Sequence, residues 1–159
     1  MGWLLDVLII LTIIIILVLL TIRLRFRLLK LWTDVTETEV LFHKLLLDST
    51  IIFYENKLLI QNEDNTAIIK KLSKYRRKKL RSLLLKERQD LFSYLNTIYD
   101  DFVEVENPLL DPLKQKFDEL QKSRRIYNTK ILVYNQTISV FPTRFLAIKM
   151  NLQIKEYFG

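Results

Sequence analysis

The chain has 159 residues with no Cys, 2 Gly and 3 Pro, and its 25 Lys and Arg outnumber 18 Asp and Glu for a formal charge of +7. The lack of Cys excludes disulfides, thiol nucleophiles and thiolate metal sites, and agrees with a cytoplasmic domain. So few turn-forming residues beside abundant Leu, Lys, Glu, Arg and Ile point to long helices rather than a many-stranded sheet.

Residues 3–22 read WLLDVLIILTIIIILVLLTI, with Asp6 as the one charge. A bilayer core requires about 20 mostly apolar residues in a helix, so this stretch is expected to cross a membrane. No Lys or Arg precedes it and no Ala-x-Ala follows it, which speaks against a cleaved signal peptide. Arg23, Arg25, Arg27 and Lys30 follow instead as a stop-transfer flank. By the positive-inside rule they hold the rest of the chain in the cytoplasm and leave the N-terminus outside. The start Met-Gly-Trp-Leu-Leu-Asp has no Ser or Thr at position 6 and does not fit the myristoylation pattern. The expected organisation is a tail and anchor over residues 1–27 and one helical domain over 28–159. Beyond the span lie all 25 bases and 17 of the 18 acids, a surplus of eight positive charges suited to an anionic partner.

From Leu28 the stripe Leu28, Leu31, Val35, Phe42, Leu45, Ser49, Ile52, Asn56 and Leu59 predicts a first soluble helix. The cluster Gln-Asn-Glu-Asp-Asn at 61–65 breaks it, with Asn65 or Thr66 as the next cap. A second helix is predicted to run to about Asn107 on Ile69, Leu72, Leu80, Leu84, Leu91, Leu95, Ile98, Phe102 and Val105. Pro108 and Pro112 mark a corner. A third stripe follows on Leu113, Phe117, Leu120, Tyr127, Ile131, Tyr134 and Ile138, and Pro142 ends it. A shorter amphipathic segment from Thr143 to Phe158 closes the chain. Residues 50–54 and 130–134 have strand-like composition, but their neighbours keep helical spacing and decide for helix. The expected fold class is all-α, a transmembrane helix followed by an antiparallel up-down bundle of long helices.

The C-terminal part contains Arg124-Arg125-Ile126-Tyr127-Asn128, Tyr134-Asn135, Ile138, Phe141-Pro142, Ala147 and Tyr157-Phe158. Two Tyr-Asn pairs seven residues apart, then Phe-Pro and a final Tyr-Phe, resemble the signature of the bacterial LemA family. The resemblance covers about 35 residues and the general layout. It implies a short N-terminal tail, one membrane helix and an antiparallel helical bundle at the bacterial inner membrane, without a defined biochemical activity. The residues also have a reading of their own. A seven-residue interval returns to nearly the same helical face, so Asn128 and Asn135 lie two turns apart beside Ile131 and Ile138. Buried asparagines must find partners, and across a bundle that requirement fixes register. Arg124, one turn before Tyr127 and Asn128, is close enough to join. The expectation is a structural lock made of Arg124, Tyr127, Asn128, Tyr134 and Asn135, closed by the turn at Phe141 and Pro142. The competing reading of the same tyrosines and asparagines is a ligand groove.

Residues 70–88 hold ten bases and one acid, Glu87, whereas 89–113 hold six acids and no base. Lys74, Arg76, Arg77, Lys78, Lys79 and Arg81 are candidates for docking an anionic partner. If the helix returns toward the membrane, its acidic half comes close to the lipid, so this charge order does not suggest lipid adhesion. Tyr75 is the one aromatic interleaved among the bases, so base-specific nucleic-acid readout is not expected, while nonspecific phosphate attraction is the alternative function. Catalysis finds little: His43 is the single histidine, Glu39 four residues before it suggests a surface pair or a half-buried ring, and repeated Glu-x-x-His is absent. Asp100 and Glu104 share a face without a positioned partner. No phosphate loop, nucleophile elbow or zinc spacing occurs. The expectation is a noncatalytic protein without metal or cofactor, presenting a cytoplasmic interaction surface to a protein partner from its bilayer anchor.

Overall fold

A computed structural model describes residues 2–75 and 83–159. Among these residues helix is the regular secondary structure and there is no strand. The helices are α1 (Gly2–Glu55), α2 (Lys57–Ile60), α3 (Thr66–Tyr75), α4 (Leu85–Phe102), α5 (Asp111–Ser139) and α6 (Thr143–Lys149), with a 3₁₀ turn at Pro108–Leu110 before α5. Residues 50–54 and 130–134 are helical, as their neighbours' spacing requires.

One helix carries both the apolar run and the first soluble stripe. Residues 2–23 of α1 are exposed along their whole length, and this is the one helix among the described residues long and apolar enough to cross a membrane. Burial begins at Leu28 and continues through Val35, Phe42, Leu46, Ser49, Thr50 and Phe53. The strict heptad expectation of Leu45 and Ile52 shifts by one residue. A straight helix turns about 100° per residue and drifts from a seven-residue repeat, which brings Leu46 and Phe53 onto the face set by Leu28 and Val35.

The breaks differ from the sequence expectation in three places. Helix α1 ends at Glu55, because Asn56 leaves helical geometry and its Nδ2 donates to the Ile52 carbonyl at 2.9 Å. In the turn after α2, Asn65 takes the N-cap position of α3, its carbonyl accepting from Ile69 N–H at 2.9 Å, but its side chain is engaged with Asn62. Asn62 and Asn65 hold each other, Asn62 N–H on Asn65 Oδ1 at 2.9 Å and Asn65 N–H on Asn62 Oδ1 at 2.7 Å. The second helix is not continuous: α4 starts only at Leu85, after Leu84 in extended geometry, whose N–H is accepted by Glu87 at 3.0 Å. Leu80, expected on its stripe, lies outside the described residues. Helix α4 ends at Phe102, not near Asn107. Asn107 caps the 3₁₀ turn through Leu109 N–H, and Pro112 is absorbed into the first turn of α5, where a missing N–H costs nothing.

The described chain forms two compact units, Met1–Thr36 with Lys130–Glu156 and Glu37–Thr129 with Tyr157–Gly159. The first unit buries Leu28, Val35, Ile131, Tyr134, Ile138 and Ala147, with Trp32 against Tyr134 at 5.7 Å. The second is built on rings. Phe42 stacks with Tyr127 at 5.7 Å and meets Phe158 edge-on at 4.6 Å, and Phe117 meets Tyr99 at 4.5 Å and Phe53 at 5.9 Å. Each fully buried Phe contributes about 1.5–3 kcal/mol, so this cluster carries a large part of that unit's stability.

Candidate functional site

The sequence expectation of an amphipathic segment from Thr143 to Phe158 holds only to Lys149. There the helix is closed by an Asn151 in the left-handed region, φ 54°, with Leu152 N–H on Ala147 O at 2.9 Å and Asn151 N–H on Ile148 O at 3.0 Å. These paired bonds are the Schellman arrangement, and Asn is one of the few side chains that tolerate its left-handed residue. The signal is Asn151 directly after Lys149-Met150. Residues 152–159 then have no regular structure, and their backbone groups need partners from elsewhere.

The two Tyr-Asn pairs supply those partners. In the first unit, Asn135 Nδ2 donates to the Lys155 carbonyl at 2.8 Å while Lys155 N–H donates to Asn135 Oδ1 at 3.0 Å. Tyr134 Oη donates to the Gln153 carbonyl at 3.0 Å, and Lys155 Nζ sits 4.8 Å over the Trp32 ring. In the second unit, Asn128 Nδ2 donates to the Phe158 carbonyl at 2.7 Å and Phe158 N–H donates to Asn128 Oδ1 at 2.9 Å. Phe158 is fully buried against Phe42 and Phe92. A carboxamide offers one donor and one acceptor side by side, so it pairs with one residue's N–H and C=O as a neighbouring strand does. The register-fixing role expected of these asparagines is therefore exercised on the C-terminal tail, not on another helix.

The remaining residues of the expected network go elsewhere. Arg124 does not bond Tyr127 or Asn128. Its guanidinium lies 4.7 Å over the Phe92 ring, and its Nε is buried without a hydrogen-bond partner among the described residues. Tyr127 is buried, and that burial pushes its phenol up to about 12, with Glu39 adding to the rise and Arg88 opposing it. Burial likewise raises Tyr134. Phe141 and Pro142 form the corner between α5 and α6, with the Phe141 ring 89% exposed. Thr143 closes this corner by donating to the Val140 carbonyl at 2.8 Å and to that of Thr137.

Of the docking candidates, Lys74 is exposed in the last turn of α3, and Arg76, Arg77, Lys78, Lys79 and Arg81 lie outside the described residues. At the end of the basic stretch, Arg88 Nη1 meets His43 Nε2 at 2.7 Å, so this guanidinium is engaged by an imidazole. That contact is half-buried, and the Glu39-x-x-x-His43 spacing gives no sign of it. Asp100 accepts from Asn96 at 2.8 Å. Arg23, Arg25, Arg27 and Lys30 are all exposed on α1. No group of three or more metal-ligating side chains occurs among the described residues. Compared with known protein families, curated proteins and solved structures, the chain matches none of them.

Proposed function

We propose that this chain is a membrane-anchored, noncatalytic helical protein of the LemA type. In this reading residues 1–27 are tail and anchor and residues 28–159 form a cytoplasmic up-down bundle at a bacterial inner membrane. The observation that carries the reading is α1, whose exposed apolar run passes without a break into a stripe buried in the soluble core. An exposed apolar surface of that length requires a lipid or protein cover. An antiparallel course is supported within each unit. In the first, Lys130 meets Asp34 at 3.5 Å and Gln136 shares a depression with Arg27; in the second, Tyr127 meets Phe42 and Phe117 meets Phe53. The chain's most distinctive polar side chains, Asn128, Tyr134 and Asn135, are committed to holding its own tail, which supports an assembly role over catalysis. The bundle surface would serve a cytoplasmic protein partner.

The test is crosslinked co-purification from native membranes, comparing wild type with Arg76, Arg77, Lys78 and Lys79 all changed to Glu, beside a C-terminal reporter for sidedness. A protein partner recovered from the cytoplasmic side and lost on charge reversal supports the reading. A reporter found outside the cell overturns the topology. Nucleic acid retained on the purified chain at low salt, and released by the same reversal, would replace the scaffold with an anionic-ligand binder.

A further inference from the structure

The corner between α5 and α6 combines exposed apolar side chains, cations and a fixed depth along α1, all within the first unit. On α6, Thr143 and Ala147 are buried, as expected of residues one turn apart. The opposite face presents Phe145 and Ile148, 61% and 68% exposed, next to the 89% exposed Phe141. Arg144 precedes this ridge in rotation and Lys149 follows it, with Lys149 Nζ 4.9 Å over the Phe145 ring. A short helix that is apolar outward and flanked by cations matches the composition of elements that lie in a bilayer interface.

Depth comes from α1. Leu24 and Arg27 line the same depression as Val140, Phe141, Pro142 and Thr143. Leu24 is two residues and Arg27 five beyond Ile22, the end of the apolar run, which is a rise of about 3 and 7.5 Å. The headgroup layer on each side of the hydrocarbon is about 5–7 Å thick. A corner packed against those residues is therefore level with the headgroups. The charge there is one-sided. The first unit has eight Lys and Arg against three acids: Asp6 beyond the opposite end of the apolar core, Asp34 beside Lys130, and Glu156.

We infer that the Phe141 corner and α6 form a second membrane contact, in which Phe141, Phe145 and Ile148 enter the interface and Arg144 and Lys149, with Arg23, Arg25 and Arg27, bind anionic phospholipid headgroups. The inference rests on α1 crossing the bilayer. The charge order of residues 70–113, which alone argued against lipid adhesion, does not include these residues.

The chain has no Cys, so single thiols can be placed at will. Full-length chains carrying Ile14→Cys or Ile148→Cys are spin-labelled and reconstituted in phosphatidylcholine vesicles with and without phosphatidylglycerol, and label exposure to oxygen and to a water-soluble nickel chelate is compared. Lipid-like exposure at both positions, with that at Ile148→Cys increasing in the anionic vesicles, is the expected result. Arg144→Glu with Lys149→Glu should remove the dependence on phosphatidylglycerol, and Phe141→Ser with Phe145→Ser should return the label at 148 to water. Lipid-like exposure at 14 with water-like exposure at 148 in both vesicles overturns the second contact and leaves the anchor standing. Water-like exposure at 14 overturns both. Equal lipid exposure at 148 in the two vesicles, unchanged by the charge reversals, overturns the anionic headgroup as ligand.

Discussion

Asn128 and Asn135 each make two hydrogen bonds to one tail residue, one given and one received. Changing either to Asp keeps the shape and removes the donor, placing a carboxylate against a carbonyl. Leaving such a buried group unpaired costs about 1–3 kcal/mol. Hydrogen exchange should show Lys155 N–H losing protection in Asn135→Asp, and Phe158 N–H in Asn128→Asp. Unchanged protection would mean that the acceptor the carboxylate retains, with Phe158 and Tyr134, is enough to hold the tail without the donated bond. Tyr127 gives a pH-dependent counterpart. Its phenol is protonated in folded and unfolded chains below pH 10, so the stability is complete there. Above this the unfolded phenol ionises while the folded one waits until about 12, so stability falls across that window. The loss is at most about 3 kcal/mol, since each tenfold change in an ionisation constant corresponds to about 1.4 kcal/mol and solvent screening reduces it. Unfolding followed by circular dichroism in detergent from pH 9 to 12 should show the decline in wild type and a shallower one in Tyr127→Phe.

At the level of elements, helix positions and faces were legible because they follow from apolar spacing. The stripe of α5 was placed residue by residue, since Leu113, Phe117, Leu120, Tyr127, Ile131, Tyr134 and Ile138 are all buried. The tail was not legible as a tail. Residues 152–158 mix polar and apolar side chains without turn residues and pass for an amphipathic continuation, and only Asn151 betrays the stop. The Asn pairs were recognisable as a constellation by their heptad interval. Their partners were not, because a carboxamide that pairs with main chain leaves no mark in the partner's side chain. The same holds for Arg88 and His43, 45 residues apart and without a local pattern. Ser49 offers a test of the α1 face. It belongs to the expected stripe and is fully buried, but its hydroxyl has no hydrogen-bond partner among the described residues. Neighbouring Thr50, in contrast, donates to the Leu46 carbonyl at 2.7 Å. Ser49→Ala removes an unpaired hydroxyl and improves helix propensity, and should raise stability by about 1 kcal/mol in thermal unfolding. A destabilisation of that size would show that the hydroxyl has a partner in solution.

On the scale of the molecule, the apolar run of α1 adds nothing to either unit's core, because residues 2–23 are exposed without exception. A chain starting at Arg23 should therefore keep its helices and core in water, with monodisperse sedimentation and a cooperative thermal transition. Aggregation, or loss of helical circular dichroism beyond the deleted residues, would mean that the run is a structural part of the fold rather than an anchor. The composition divides the chain at the same point, since all 25 Lys and Arg lie at or after Arg23.

The asparagine clamps grip amide and carbonyl, which every residue but proline possesses. The tail is consequently specified by its main chain and nearly indifferent to its spelling at Lys155. An alanine scan would pass over that position, with Lys155→Ala costing about 0.5–1 kcal/mol for the lost contact with Trp32. Lys155→Pro would delete the one hydrogen that Asn135 receives, and should free the end of the chain to proteases. At Lys155 the end of the chain is thus held by its main chain, whereas at Phe158 the same kind of clamp is joined by a side chain buried in the core.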